Sequence, residues 1–273
     1  MPLLTTTAIP PTEIYYEDMG RGRPVVLIHG WPLSGRMWEG QVNALLDAGY
    51  RCVTYDRRGF GNSGRPGGGF DYDTFSSDLR DVVTALDLQN AMLVGFSMGG
   101  GEVVRYLGRY GDDRVSRAML VAAVPPFLLK TPDNAGGVDP SVFDDMIAGV
   151  KRDRIGFLSE FLKRFFNWEP GKPVPSEEAI VYVKSLAWIA SPLATQQCIT
   201  AFGTTDFRRD LAKIRIPVLV VHGDADRIVA YENGVRLAAR IPGMRFETFP
   251  GAGHLLFLEE PNRFNSLVAE FLS

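Results

Sequence analysis

Five stretches of the chain are almost unbroken in apolar residues: "PVVLIH" (24–29), "RCVTYD" (51–56), "AMLVGF" (91–96), "RAMLVAAV" (117–124) and "IPVLVVHG" (216–223). Runs this short, without polar alternation, fit strands covered on both faces, as in a parallel sheet flanked by helices. Two more strands are expected. "EIYYED" (13–18) alternates and should open the sheet as an antiparallel hairpin with the next strand, and "RFETFP" (245–250) should close it. Residues 37–48, 74–88, 98–110, 231–240 and 260–272 read as helices in between and at the end. Strand and helix in alternation predict a doubly wound α/β sheet.

The rhythm breaks between Pro125 and about Arg215, where the strand signal vanishes and the text becomes helical and aromatic. Phe143, Phe157, Phe161, Phe165, Phe166, Trp168, Trp188 and Phe202 all fall there. Phe157, Phe161 and Phe165 are four apart, which puts three rings on one helical face. That stripe packs on the rest of the protein, or belongs to an inserted cap whose inner face lines an apolar pocket. The two readings are compatible, since a cap must bury something. The expected organisation is a core of 1–124 and 216–273 with a helical cap at 125–215. No internal repeat is visible, and "RPGGGF" (65–70) reads as a surface loop.

Charge and cysteine content remove several function classes. Twenty-nine Lys and Arg against 32 Asp and Glu give a net charge of −3, with no basic tract longer than a pair such as Arg57-Arg58. Neither a nucleic acid nor a membrane surface is an expected partner. The opening "MPLLTTTAIPPTE" has no signal-peptide pattern, and no apolar segment is long enough to span a bilayer. Cys52 and Cys198 match no metal or redox spacing and are expected to stay reduced, which fits the cytoplasm. Three scattered histidines and no thiolate pair supply no metal site.

The chemistry concentrates at "VGFSMGG" (94–100), a serine between two glycines after an apolar run and before a helix. G-x-S-x-G in that context is the signature of a sharp strand-to-helix turn that presents a nucleophile. Side chains at Gly95 and Gly99 would clash in so tight a turn, and Ser97 would stand at a helix N-terminus, where negative charge is favoured. A serine hydroxyl needs a base, and the chain offers only His29, His222 and His254. His29 and His222 end strands, whereas His254 sits in the loop "GAGH" after the last strand, so His254 is the expected base. Asp226 in "HGDADRIV" is the expected acid that orients it, with Asp224 shaping the loop; chain order is then Ser, Asp, His. Asp56 precedes the serine and reads as part of a structured turn. An acyl-transfer oxyanion needs two N–H donors. Met98, just after the nucleophile, supplies one, and Trp31 in "HGWP" the other, because Pro32 has no N–H.

Taken together, "HGW", "DRRGFGNS", "DYDTFSSDL", "LVGFSMGGGE", "TDFR" and "HGDADRIV" resemble the α/β-hydrolase fold over nearly the whole chain. More closely, they resemble its branch of bacterial aryl esterases and cofactor-free haloperoxidases, or perhydrolases. The resemblance implies a mostly parallel eight-stranded sheet flanked by helices, a triad of Ser97, Asp226 and His254, and oxyanion donors at Trp31 and Met98. It places an aromatic acyl pocket at Trp31, Phe127, Phe143, Phe161 and Phe202, with Ile228 and Val229 beside the acid. It also implies that Pro32, directly after the aromatic residue, favours attack of hydrogen peroxide on the acyl-enzyme. The tail "GAGHLLFLEEPNRF" is closer to the general hydrolase pattern. The implied reaction is cleavage of small carboxylic esters without cofactor or metal; relatives of this kind often form homo-oligomers. The same triad can open lactones or lactams or cleave carbon–carbon bonds, and a hydrolase-like receptor would keep it as a ligand pocket.

Overall fold

The computed structural model describes residues 2–166 and 175–272, so Trp168 lies outside the described residues. In chain order the strands are β1 (Leu3–Thr5), β2 (Glu13–Met19), β3 (Pro24–Ile28), β4 (Arg51–Tyr55), β5 (Ala91–Phe96), β6 (Val115–Val121), β7 (Val218–Gly223) and β8 (Arg245–Phe249). They form one eight-stranded sheet in the order β1-β2-β4-β3-β5-β6-β7-β8. Pairing is parallel from β4 to β8 and antiparallel at β1-β2 and β2-β4. Every residue of β3, β5 and β7 is buried, as unbroken apolar runs require.

One expected pairing is wrong. β2 forms no hairpin with β3; it lies antiparallel on β4, with Tyr16 opposite Tyr55. The reason is that β3 already has β4 on one edge and β5 on the other, so β2 takes the outer edge of β4. β1 was not predicted: three residues, none fully buried, carry no readable period.

The helices are α1 (Glu39–Asp47), α2 (Tyr72–Ala85), α3 (Met98–Tyr110), α4 (Pro140–Lys163), α5 (Glu177–Trp188), α6 (Pro192–Thr204), α7 (Arg208–Leu211), α8 (Tyr231–Ala238), α9 (Leu256–Glu259) and α10 (Pro261–Leu272). Their starts are chemically marked. Asp71, Asp139, Ser176 and Ser191 each accept a backbone N–H of the first turn of α2, α4, α5 and α6, and Pro140 and Pro192 sit at the first helical position. Each such cap stabilises its helix by about 1 kcal/mol. α4 through α7 occupy the segment between β6 and β7. Asp153 leaves helical geometry inside α4, and its Oδ1 accepts the Gly156 N–H at 3.0 Å, which restarts the helix. That kink lays Phe157 over Gly149, where a Cβ would be only 2.4 Å from the ring.

The adjacent basic pair Arg57-Arg58 is inside the protein. Arg57 pairs with Glu102 at 2.6 Å and Arg58 with Asp78 at 2.6 Å, all four side chains being essentially unexposed. The Tyr55 hydroxyl also binds Glu102, which ties the loop after β4 to α3. Isolated buried charges would be very costly, and these are paired. Among the described residues no helix is long and apolar enough to cross a membrane.

Candidate active site

Ser97 joins β5 to α3 with φ +52° and ψ −115°, a conformation that L-residues rarely adopt. The surroundings over-determine it, as stored backbone strain requires. The Ser97 N–H donates to the Val121 carbonyl at 2.8 Å, and its own carbonyl accepts from Gly100 at 3.0 Å and from Val124 at 3.2 Å. A Cβ at Gly95 would lie 2.5 Å from the Gly99 oxygen, and one at Gly99 would lie 2.6 Å from the Ile28 oxygen. Both glycines are therefore required by close backbone approach, as expected from the sequence.

His254 follows β8 in a loop and is fully buried. Its Nε2 is 2.9 Å from Ser97 Oγ and its Nδ1 2.7 Å from Asp226 Oδ2. A carboxylate only accepts, so Nδ1 carries the proton and the Nε2 lone pair faces the serine hydroxyl. The rings of Phe96 and Phe165 hold the imidazole from two sides, with centroids at 4.7 and 4.9 Å. The loop is tied to the helical segment by the Leu255 N–H, which donates to the Phe165 carbonyl at 3.0 Å.

Asp226 follows β7, and its Oδ1 accepts the N–H groups of Ile228 and Val229 at 2.8 and 3.0 Å. Burial opposes its ionisation, but the facing His254 and hydrogen bonds from His222 and His254 outweigh it. The carboxyl is held well below the usual carboxylate range. Asp224 points elsewhere, accepting the Gly251 N–H at 2.6 Å, and so shapes the loop. Asp56 likewise closes a turn through Gly35 and Asn62 at 2.7 and 2.8 Å.

The His29 ring is hydrogen-bonded outside the triad. Its Nε2 accepts the Arg57 N–H at 2.9 Å, and Nδ1 then donates to the Gly30 carbonyl at 2.9 Å. Burial and the Arg57 charge push its pKa well below the ordinary value. It shapes the loop that carries Trp31. The Trp31 indole N–H donates to the Thr195 carbonyl in α6 at 2.9 Å, and its ring meets Phe161 and Phe202 edge-on at 5.5 and 5.7 Å. Met98 opens α3, where the first N–H groups lack intrahelical acceptors.

Ser97, Met98 and Trp31 share one cavity of about 300 Å³. Phe143, Phe161, Phe202, Ile228 and Val229 line it. Pro32 and Phe127 do not. Pro32 is buried outside the cavity wall, and Phe127 packs beneath the Arg208 guanidinium at 5.1 Å. The wall also includes Phe157, Phe165, Leu128 and Met146, which sequence reasoning left out of the pocket. For Phe157 and Phe165 a signal existed, the four-residue spacing with Phe161. A second omission is Asn233 of α8, whose buried amide donates to the carbonyls of Ala123 and Pro125 at 3.1 and 2.8 Å and so fixes the turn after β6.

Comparison with known proteins agrees with this geometry. Residues 23–261 match the family described as alpha/beta hydrolase fold. The chain is 42% identical to the non-heme chloroperoxidase CPO-A1 of Kitasatospora aureofaciens over all of both chains. It is 36% identical to the bifunctional esterase/perhydrolase DCH of Acinetobacter calcoaceticus, over 95% of this chain and 96% of that one. The crystal structure of bromoperoxidase from Bacillus anthracis superposes with a TM-score of 0.94 at 48% identity, covering 99% of each chain. The chain belongs to the α/β-hydrolase family, in the branch that holds non-heme haloperoxidases and esterases.

Proposed function

We propose that the protein is a serine hydrolase that cleaves small carboxylic esters through an acyl-serine intermediate, with hydrogen peroxide as an alternative acceptor to water. The observation that carries this reading is the single imidazole of His254 bridging Asp226 Oδ2 and the Oγ of Ser97, which lines an apolar cavity. Ser97 attacks the ester carbonyl while His254 Nε2 takes the hydroxyl proton. The tetrahedral oxyanion is received by the N–H groups of Met98 and Trp31, and His254 returns the proton to the departing alcohol. Asp226 stabilises the imidazolium in between. Water then attacks the acyl-serine with His254 as base, releasing the acid and free Ser97. Hydrogen peroxide in its place releases the peracid, with the same proton transfer and no other reactant. The relatives named as chloroperoxidase and esterase/perhydrolase support that second acceptor.

The apolar and aromatic wall supports a short or aromatic acyl group. In this reading residues 125–215 act as a cap on the core formed by 1–124 and 216–273. The cytoplasm is proposed as its compartment, on the two buried free thiols Cys52 and Cys198.

The test is initial rates on p-nitrophenyl acetate, butyrate and longer esters for wild type and Ser97→Ala. Fast acetate and butyrate cleavage, lost by at least about 1,000-fold in a folded Ser97→Ala, is the expected result. Full activity in that variant overturns the assignment. A folded wild type inert to all the esters would turn the search to lactones, lactams and carbon–carbon substrates.

A further inference from the structure

His222 closes β7 and takes no part in the triad, yet it is fully buried beside the acid. Its Nε2 lies 2.9 Å from the Val229 carbonyl oxygen and 3.3 Å from Asp226 Oδ2. Both neighbours are acceptors, so the imidazole proton is on Nε2. Nδ1 has no hydrogen-bond partner among the described residues. α8 packs directly on that edge of the ring: a Cβ at Gly234 would lie 2.5 Å from Nδ1. A second proton there would be a buried donor without an acceptor.

We propose that His222 is a positioning residue for the ester-cleaving reaction: its Nε2–H, shared between the Val229 carbonyl and Asp226 Oδ2, fixes the acid against His254 and draws charge from the oxygen that His254 uses. The inference rests on the triad reading above. Each oxygen of Asp226 is then doubly engaged, Oδ1 by the N–H groups of Ile228 and Val229 and Oδ2 by the two histidines. The same Nε2–H pins Val229, and Ile228 and Val229 both line the cavity. One side chain therefore orients the acid and holds part of the substrate wall.

Without that donor, Oδ2 keeps more of the carboxylate charge and stabilises the His254 imidazolium more strongly. The rate then falls off at a higher pH on acidification. Other ionisable groups around the clasp are tied elsewhere. Asp224 is held by the Gly251 N–H, and Glu259 of α9 accepts the Gly253 N–H next to His254. The Tyr231 hydroxyl of α8 bonds Thr248, with its ring 6.1 Å from His222. Arg164, after α4, donates to the Arg227 carbonyl.

The experiment is the pH profile of kcat/KM on p-nitrophenyl acetate for wild type, His222→Leu and His222→Gln, each normalised to active Ser97 by burst titration. In His222→Leu the acid limb should move up by about 0.5 to 1 pH unit, roughly half the worth of a full hydrogen bond to a charged partner, because the Nε2–H is shared with the Val229 carbonyl. His222→Gln, whose amide can replace Nε2–H, should bring the limb back toward wild type. A merely structural role would lower the amount of titratable serine and leave the limb where it was. An unmoved limb in His222→Leu overturns the proposal. If neither variant folds, 15N NMR of the wild type at about pH 7 decides: a proton on Nε2 of His222 supports it. A proton on Nδ1 overturns it. Retained activity in Ser97→Ala would instead remove the triad reading, which separates the two failures.

Discussion

The two walls of the cavity are built by different means. On the sheet side, Ser97 is fixed by backbone against backbone: Gly95 lies against the main chain of Gly99, and Gly99 against that of Ile28 and His29, with no room for a methyl group. On the helical side, the wall is ring against ring. Phe161 meets Trp31, Phe157 and Phe165 at centroid distances of 5.5, 5.7 and 5.5 Å. Backbone contacts admit one geometry, whereas apolar side chains of similar volume can repack at modest cost. The nucleophile is thus held by the rigid wall, while the adaptable one borders the cavity and reaches the base through Phe165.

Gly99→Ala attacks the rigid wall and should have the largest effect. Its Cβ would sit 2.6 Å from the Ile28 oxygen and 2.8 Å from the His29 oxygen, so α3 or β3 must move. Overpacking of this kind costs about 1–3 kcal/mol. A displacement of the nucleophile from its base by a fraction of an ångström should lower kcat/KM by about 100-fold. Chemical denaturation and ester kinetics measure the two losses, and an active, fully stable Gly99→Ala would show that the turn has slack.

Phe161→Ala tests the adaptable wall and should act on selectivity more than on rate. The ring is only partly buried and already borders a void, so the stability loss should be about 1–2 kcal/mol, below the value for a fully enclosed phenylalanine. The space it vacates joins the cavity beside Trp31. The ratio of kcat/KM for p-nitrophenyl hexanoate over acetate should rise by about 10-fold, with acetate turnover nearly kept. A collapse of acetate turnover instead would mean that the ring positions Trp31 and its N–H.

The same contrast explains what was legible in the sequence. Ser97 and Asp226 could be named because each follows a strand whose apolar run is visible, and a glycine-flanked serine between a buried strand and a helix is seldom an idle turn residue; His254 followed by elimination, as the one histidine of three that lies in a loop and not at a strand end. β3, β4, β5 and β7 were readable for the same reason. The pairing of β2 was not, since it depends on which edge of the sheet remains open after β3 and β5 meet. The pocket was half legible. The stripe Phe157, Phe161, Phe165 follows helical spacing, but only the kink at Asp153 brings Phe157 over Gly149 and into the wall. Phe127 was misplaced because nothing local reveals that Arg208 covers it. His222, placed at the end of its strand, carried no sign that its ring lies on Asp226.

The smallest effect separates the two histidines that end strands. His29 sits on the rigid side, and its folded pKa is pushed well below 6.5, first by burial and then by Arg57. The folded protein therefore binds fewer protons at this site than the unfolded chain does below that pH. By linkage, the stability it contributes is complete above about pH 6.5 and is lost as pH falls toward the folded value, by up to about 1.4 kcal/mol per pH unit. Asp56, Asp78 and Glu102, all raised by burial, titrate with the opposite sign, but they are common to wild type and variant and cancel in a difference. His29→Gln keeps an acceptor for the Arg57 N–H and cannot take up a proton. Urea unfolding at about pH 7.5 and about pH 5.5 should show wild type losing stability relative to His29→Gln by about 1 kcal/mol on acidification. A difference independent of pH would mean that His29 is as easily protonated inside the protein as outside, and that the loop carrying Trp31 is open to water.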